Sequence, residues 1–446
     1  MAMRKVTISL FLFATLSLCY TAAAQEADSL KNKVSIGLNY LSHGEECSGG
    51  LPPSKTEVVE EHSNFLFGRF RITVGYERDW LEMRGIVQNS AIWGSAGNMT
   101  LSLYEGWVKM NSKWGGFAQV GRVALSYDDE RIIGPNDFAM AANSHDVLRL
   151  GYEGYGHKFH AILAYNQDAA NVYANTYYND SPLPYKNMQT LWYHYDVPKF
   201  PLGASLLFMN IGMQAGVQGD PNNKPRNEYQ QLFGGYIKLN PSFLTLEGSY
   251  YRQRGRNVDA NMQDVPLEAW MASVKATVEP SEYYGFEGGY DYLSGDDYVP
   301  VPPPGALGLP QHKIYKGFAP LYGSRIKFYG MMDYFYQSAY INGFTPGLQD
   351  AFGGIYGHPV KNLTCSATYH YLAVATDLKG LERTLGHSVE LAASYKFNDY
   401  LSLAVGYTQM DGTETMNRLK QSDKSKYLRW GWFSLVISPK TFSHKF

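Results

Sequence analysis

The most informative feature of this 446-residue sequence is that it has no long apolar run beyond residue 24. A membrane-spanning helix needs about 20 consecutive, mostly apolar residues, and the mean hydropathy is only −0.31. In lipid, every backbone N–H and C=O must be paired within the protein, so only helices and closed barrels span a bilayer. If the chain spans a membrane, it must therefore do so as a β-barrel.

Cysteine and basic charge are also scarce. Only three cysteines occur, and Cys47 and Cys365 are too far apart in the pattern to suggest a disulfide framework. Lysine and arginine number 39 against 41 acidic residues, so the basic excess of a nucleic-acid-binding protein is missing. No phosphate loop, nucleophile elbow or dinucleotide fingerprint occurs. We therefore expect no enzyme, no cofactor and no nucleic-acid partner.

The N-terminus has the pattern of a cleaved secretory signal, residues 1–24. Arg4 and Lys5 precede an apolar stretch at 6–18, and alanines at 22–24 offer a small-residue cleavage site. A membrane anchor is the alternative, but the apolar run is short. A lipoprotein is disfavoured because Leu18, before Cys19, is not small. Residues 25–446 would then form the mature domain.

Aromatic residues and glycine are abundant, with 36 tyrosines and 44 glycines, and apolar and polar residues alternate along many segments. In 68–76, Phe70, Ile72 and Val74 alternate with Arg69 and Arg71. Period-two alternation predicts β-strands with two different faces. A soluble sandwich would alternate too. Because an Arg or Lys facing lipid at the midplane costs roughly 2–4 kcal/mol, we expect the charged face to line a wet lumen.

The connections alternate between tight turns and long polar segments. The long segments lie at 42–62, 128–144, 168–187, 216–228, 295–349 and 411–426. Short periplasmic turns and long external loops are typical of outer-membrane barrels, which have an even number of strands. We predict an all-β fold, one antiparallel transmembrane barrel of about 18 strands. The extended segment 327–336 would belong to the inserted loop 295–349 and fold into the channel mouth.

Strand parity predicts which charges face the lumen. The predicted pore-lining set comprises Arg69, Arg71, Arg84, Lys109, Arg122, Arg149, Lys158, Glu82, Glu105, Glu247, Glu287 and Asp291. The arginines lie on successive strands of one wall, and rows of arginine select anions in pores. The alternative is that these charges only pair with one another and brace the wall.

Other candidate sites are weaker. His43, Glu45, Glu46 and Cys47 might be imagined as a metal site in the first loop, but their spacing is not diagnostic. The acidic run Asp128, Asp129 and Glu130 is a second candidate, either for Ca²⁺ or for pairing with Arg131 as a gating loop, and loop structure is the favoured interpretation. His145 and Asp146 resemble a protease dyad, and we interpret them as a strand entry.

Two motifs carry a family resemblance. The stretch 121–134, GRVALSYDDERIIG, followed by 144–150, SHDVLRL, resembles the alginate-export porin family. So does 289–297, GYDYLSGDD, with 320–323 and 327–330, and the match covers most of residues 60–440. The resemblance implies an eighteen-stranded monomer that passes an anionic polysaccharide through an arginine-rich constriction containing Arg122 and Arg149. Val123 and Gly151 depart from the family pattern, which thins the positive wall.

We therefore expect a channel in the outer membrane that passes an anionic saccharide or a small anion. Its partners would be membrane lipid, lipopolysaccharide and the outer-membrane assembly machinery. The last predicted strand, near 429–438, is followed by Phe442 and Phe446, which resemble the C-terminal aromatic assembly signal; ordinary interfacial aromatics are the equal alternative. The alternative is a non-conducting outer-membrane barrel that acts as a surface enzyme or binding protein through its external loops.

Overall fold

The computed structural model describes most of the chain beyond residue 31. It covers residues 32–49, 62–95, 99–167, 185–217, 219–258, 262–296, 314–324, 326–332, 335, 345–378, 380–420 and 427–446. The predicted signal peptide, residues 1–24, lies outside these ranges.

The fold is a single antiparallel sheet. Its strands are β1 (Lys33–Ser48), β2 (His62–Arg78), β3 (Leu81–Ile92), β4 (Met99–Asn111), β5 (Gly116–Val123), β6 (His145–Gly154), β7 (His157–Tyr165), β8 (Asn187–Asp196), β9 (Leu202–Ala215), β10 (Arg226–Leu239), β11 (Leu244–Val258), β12 (Asp264–Ser281), β13 (Tyr284–Leu293), β14 (Leu348–Val360), β15 (Leu363–Ala373), β16 (Thr384–Asn398), β17 (Leu401–Gly412), β18 (Leu428–Ile437) and β19 (Phe442–Lys445). The helix α1 (Glu414–Lys420) precedes β18. Among the described residues, no helix is long and apolar enough to cross a membrane.

The sheet closes on itself through β1. This strand pairs with β2 on one side and with β18 and β19 on the other. On β1, Tyr40 pairs with Ile437 and Ile36 pairs with Phe442. The two β1 residues are four positions apart, whereas Ile437 and Phe442 are five positions apart. The extra residue is a bulge, so β19 continues the last strand instead of adding a new one. The predicted barrel of 18 strands is confirmed.

Short and long connections lie at opposite ends of the barrel. Two residues join β2 to β3, β6 to β7 and β16 to β17, and the N- and C-terminal ends of the sheet lie at this same end. The other end, called the external end here, carries the long connections, including 294–347 between β13 and β14. The predicted rhythm of turns and loops is therefore confirmed.

The two faces of the wall differ as the alternation predicts. On β2, Val74 is 51% exposed on the outside, whereas Arg69 is 3% exposed on the inside. The outer face also exposes Leu163, Leu206 and Val389, so it is apolar around the barrel. The inner face is mixed: it is polar near the short turns, whereas further along the barrel inward side chains such as Met209, Leu232 and Met271 are buried in an apolar core. The closed sheet pairs its own backbone groups, as a structure in lipid requires.

Arg122 is an exception, and its predicted inward orientation is wrong. It shares the outer face of β5 with Val120, which is 52% exposed, while Gln119 and Val123 point inward. The Arg122 Nη2 atom lies 2.6 Å from Asp146 Oδ2, and its Nη1 donates to the Leu103 carbonyl at 3.3 Å. Because Arg122 lies one residue before the external end of β5 and is paired, its charge does not require a lumen position.

Two segments of the chain fold into the lumen. The inner loop, residues 124–144, contains the segment 128–144 that the sequence predicts as an external loop. It turns inward after β5, and Leu125, Ile132 and Ile133 are buried. The second inner segment, residues 314–332 apart from 325, meets it at an isolated parallel bridge between Ile133 and Tyr322. The predicted inward folding of 327–336 is confirmed for its described part, in which Tyr329 and Phe335 are buried.

Candidate functional site

The inner loop is fastened to the wall formed by β2 and β3. Arg69 Nη1 donates to the carbonyls of Asp137 and Ala139 at 2.8 and 2.9 Å, and Arg71 Nη1 lies 2.7 Å from the Asp137 carboxylate. Gln88 Nε2 donates to the carbonyls of Met140 and Ala141 on the same stretch. Arg69 and Arg71 therefore face inward as predicted, but they bind the inner loop and are buried beneath it.

Arg131 attaches the same loop to the far side of the barrel. Its Nη1 lies 3.0 Å from Asp291 Oδ2 on β13, and its Nη2 donates to Ser273 Oγ on β12 at 3.0 Å. Tyr329 of the second inner segment also lies 3.0 Å from Nη1. Strands β2 and β13 are far apart around an 18-stranded ring, so the inner loop crosses the lumen. This crossing narrows the lumen.

Glu130 joins the two inner segments. Its carboxylate accepts hydrogen bonds from Lys327 Nζ at 2.5 Å and from Ser126 and Ser324 at 2.8 Å each. Partial burial raises the pKa of Glu130, but these three hydrogen bonds outweigh it and leave the pKa below its usual value of 4.5. The group is therefore an anion at neutral pH, and the contact is an ion pair.

The start of the inner loop contacts β6 to β9. Tyr127 OH lies 2.9 Å from His160 Nδ1 and accepts from Arg149 Nη1 at 3.3 Å. Asp128 accepts from Trp192 Nε1 at 3.1 Å. Burial raises the pKa of Asp128 more than its hydrogen bonds lower it. Asp128, Asp129 and Glu130 have different partners, and the described residues contain no group of three or more side chains placed to hold a metal ion.

Opposite charges alternate around the half of the lumen nearest the short turns. The ion pairs are Glu82–Lys109 at 3.8 Å, Arg84–Glu105 at 3.2 Å, Lys158–Asp196 at 3.1 Å, Lys238–Glu247 at 3.8 Å and Lys275–Glu287 at 2.6 Å. The predicted residues in these pairs, and Asp291 beside Arg131, therefore all lie on the inner face of the barrel, as predicted. Most of the predicted charges are therefore neutralised by a neighbouring strand.

Arg149 differs from the other predicted arginines. It lies in register with Gln119, which lies in register with Lys109, and all three point inward. No described carboxylate pairs with Arg149, and its buried Nε atom has no hydrogen-bond partner. The Lys109 and Arg149 cations lie 4.8 and 5.3 Å from the centre of the Phe117 ring. The row Lys109–Gln119–Arg149, called the basic row here, brings two cations onto one stretch of the inner wall, and of the two only Lys109 also has a described carboxylate partner, Glu82.

A cavity of about 530 Å³ opens nearby, toward the short turns. Its polar lining includes Lys158, Asp196, Lys238 and Asp128, and Trp192 and Tyr236 supply aromatic walls. Its size suits a small solute, since ligand pockets are typically about 300–1,000 Å³. A mixed lining of this kind offers hydrogen bonds to a polar or charged molecule.

Comparisons with known proteins bear on the fold. OccK5 (OpdH) of Pseudomonas aeruginosa superposes with a TM-score of 0.56 and 10% identity, over 93% of this chain and 98% of that one. OccAB4 of Acinetobacter baumannii has a TM-score of 0.58 and 9% identity, over 94% and 100%. OccAB1 of Acinetobacter baumannii gives 0.57 and 10%, over 93% and 96%. This chain shares their barrel fold.

Similarity in sequence is absent at the level of families. No protein-family model matches the sequence, and no curated protein matches it. At identities near 10% the structural likeness shows the fold alone. The resemblance to alginate-export porins therefore remains a prediction.

Sequence reasoning missed several residues that organise the lumen. Arg131 is the main attachment of the inner loop. The sequence suggested that Arg131 pairs with the acidic run, and its Nε does lie 3.2 Å from Asp129 Oδ2, but its ion pair with Asp291 was not foreseen. His370, Asp350 and Glu390 form a second buried cluster: His370 Nδ1 lies 2.9 Å from Asp350, and Glu390 accepts from the Met331 N–H at 2.6 Å. The inward parity of Glu390 was the available signal, but its partner could not be found without the register.

The predicted metal candidate in the first loop is also wrong in its setting. His43, Glu45, Glu46 and Cys47 lie in β1, not in a loop. Strand alternation places Glu46 on the opposite face from the other three. His43 instead bonds to Ser434 at 2.6 Å and to Glu45 at 2.9 Å.

Proposed function

We propose that this chain is an outer-membrane channel that passes small polar solutes and prefers anions at the basic row. One observation carries the proposal: the lumen of a lipid-facing barrel is crossed by an inner loop, and beside that loop Arg149 has no carboxylate partner in the part of the chain that the structure describes. Under this proposal the signal peptide is cleaved and the mature chain acts as a monomer, inserted by the assembly machinery among lipopolysaccharide.

A channel explains why the half of the lumen nearest the short turns is polar. Charged side chains such as Arg84, Lys158 and Lys238 remain 40–48% exposed inside the barrel. Dry packing would make these charges costly, because buried ions lose their hydration. A hydrated passage removes that cost, and the crossing loop restricts its width.

The anion preference is local. Arg69 and Arg71 are paired with the inner loop, Arg84 is paired with Glu105, and Arg122 faces outward. Unpaired cations beside a narrowing attract anions and repel cations. The preference should therefore depend mainly on Arg149, because Lys109 is also paired with Glu82 at 3.8 Å, and not on a continuous arginine wall.

The size of the solute follows from the crossing loop. The family resemblance implies an anionic polysaccharide, which would need an open path along the whole barrel. A lumen crossed by the inner loop, beside a cavity of about 530 Å³, favours a small anion or a short acidic saccharide. We propose a small anionic solute for this reason.

The test compares two arginines on neighbouring strands that point to opposite faces. Purified protein is inserted into planar bilayers, and the reversal potential is measured across a KCl gradient. We expect anion selectivity that falls in Arg149→Gln and is unchanged in Arg122→Gln. Cation selectivity in the parent, equal effects of the two variants, or a bilayer without channel activity would contradict the proposal.

A further inference from the structure

A groove on the outer wall combines an apolar trough with two arginines. The trough has a volume of about 550 Å³ and lies on β7 to β11, between Leu206, Phe208, Phe233 and Tyr250. Gly235 lies in register with both Leu206 and Tyr250 and has no side chain. The missing side chain makes the depression between them.

The groove ends at a polar boundary toward the external end. One row above Leu191, Phe208 and Phe233, three amides form a ladder on the outer face. Asn210 donates to Gln189 at 2.6 Å and Gln231 donates to Asn210 at 2.8 Å. Because apolar side chains give way to amides there, this row marks the level where acyl chains meet headgroups.

Two arginines stand at this boundary. Arg252 is in register with Phe233, and Arg254 is in register with Gln231. Both share the outer face of β11 with Tyr250. Among the described residues neither guanidinium has an ion-pair partner, whereas the next arginine, Arg256, lies 3.2 Å from Asp264. Glu268 lies across from Arg254 but does not form an ion pair with it.

We propose that this groove binds one phosphorylated glycolipid of the outer leaflet, the lipid A part of lipopolysaccharide. The acyl chains would lie along Leu206, Phe233 and Tyr250, and a phosphate would be held by Arg252 and Arg254. Guanidinium groups bind phosphate through paired, charge-assisted hydrogen bonds. The inference uses the outer-membrane location of the proposed function but not its channel activity.

The probe is bis-phosphorylated lipid A, added to the delipidated protein in detergent and counted by native mass spectrometry. We expect one high-affinity lipid. Its affinity should fall at least about tenfold in Arg252→Gln/Arg254→Gln, since charge-assisted hydrogen bonds are the strong ones, and should be largely retained in Arg252→Lys/Arg254→Lys. The control Lys199→Gln/Lys361→Gln removes two charges from turns at the opposite end and should bind as the parent does.

A second measurement needs no variant. Lipid A without phosphates should compete poorly with the bis-phosphorylated form for the parent protein. Equal affinity of the two lipids, or equal binding by the parent and by Arg252→Gln/Arg254→Gln, would overturn the proposal. Arg149→Gln should keep its lipid while losing anion selectivity, which separates this site from the channel proposal.

Discussion

Replacing Arg131 by methionine should release the inner loop from the far wall. The Asp291 carboxylate is 2% exposed and would lose the guanidinium 3.0 Å away, together with the Tyr329 and Ser273 contacts that Arg131 organises. Breaking a buried ion pair by removing one partner costs about 3–5 kcal/mol. At 1.4 kcal/mol per factor of ten, the docked loop becomes less favoured by roughly a hundredfold to a few thousandfold.

The barrel itself should survive this change, because Arg131 belongs to no strand. We expect Arg131→Met to insert into planar bilayers and to show a larger single-channel conductance with frequent current steps. Arg122→Met, which removes an outward arginine, is the matched control and should conduct as the parent does.

The double variant Arg131→Met/Asp291→Asn distinguishes the cause. It removes both charges, so the cost of the orphaned carboxylate disappears and the conductance should move back toward that of the parent. A conductance in Arg131→Met identical to that of the parent would refute the assignment of Arg131 as the attachment of the inner loop.

Three further predictions concern the same loop and its neighbouring strands. The hydrogen bonds of Glu130 leave its pKa below 4.5, so its ion pair with Lys327 stabilises the contact between the two inner segments above that pH and is lost as the pH falls through the lowered pKa. Single-channel conductance should therefore rise in acid, and Glu130→Gln should show this higher conductance already at pH 7. Asp137→Asn removes the carboxylate shared by Arg69 and Arg71, so limited proteolysis should cut the inner loop faster, and unchanged cleavage would contradict its docking. Gly121 has φ of +124°, and a Cβ there would lie 2.1 Å from the Gly106 carbonyl oxygen. Gly121→Ala should therefore lower the stability of the fold by about 1–3 kcal/mol and reduce the yield of heat-modifiable barrel. Gly85→Ala is the control and should not reduce that yield, because a Cβ at Gly85 would meet open space.

The strands and their two faces could be predicted because alternation is a local property. On β2, Arg69 points into the lumen and Ile72 points outward. On β7, Lys158 points into the lumen and Phe159 points outward, as the alternation of charged and apolar residues predicts. An even strand number then followed from the rhythm of turns and loops. Contact with lipid requires an apolar outer face on every strand, so the orientation of each strand could be predicted from its own sequence.

Arg122 shows where that reasoning fails. Charge was taken as evidence of an inward position, yet an outward arginine is tolerated near the end of a strand if a partner such as Asp146 lies beside it. The partner could not be recognised without the register between β5 and β6. A parity count anchored on Val120 instead of on the charge would have placed Arg122 outside.

The inner loop could not be predicted for a different reason. Its contacts join residues far apart in the sequence, such as Arg131 with Asp291 and Glu130 with Lys327. Neither the acidic run at 128–130 nor the extended segment at 327–330 indicates its partner. Only the second of these was expected inside the barrel.

The inner loop also implies an order of events during folding. It touches β2, β3, β8, β12 and β13, which are brought around one lumen only when the ring of strands is complete. The complete set of these contacts can therefore exist only after the ring has closed. If the chain is the channel proposed above, substitutions in the inner loop should change permeability while leaving closure of the ring unaffected.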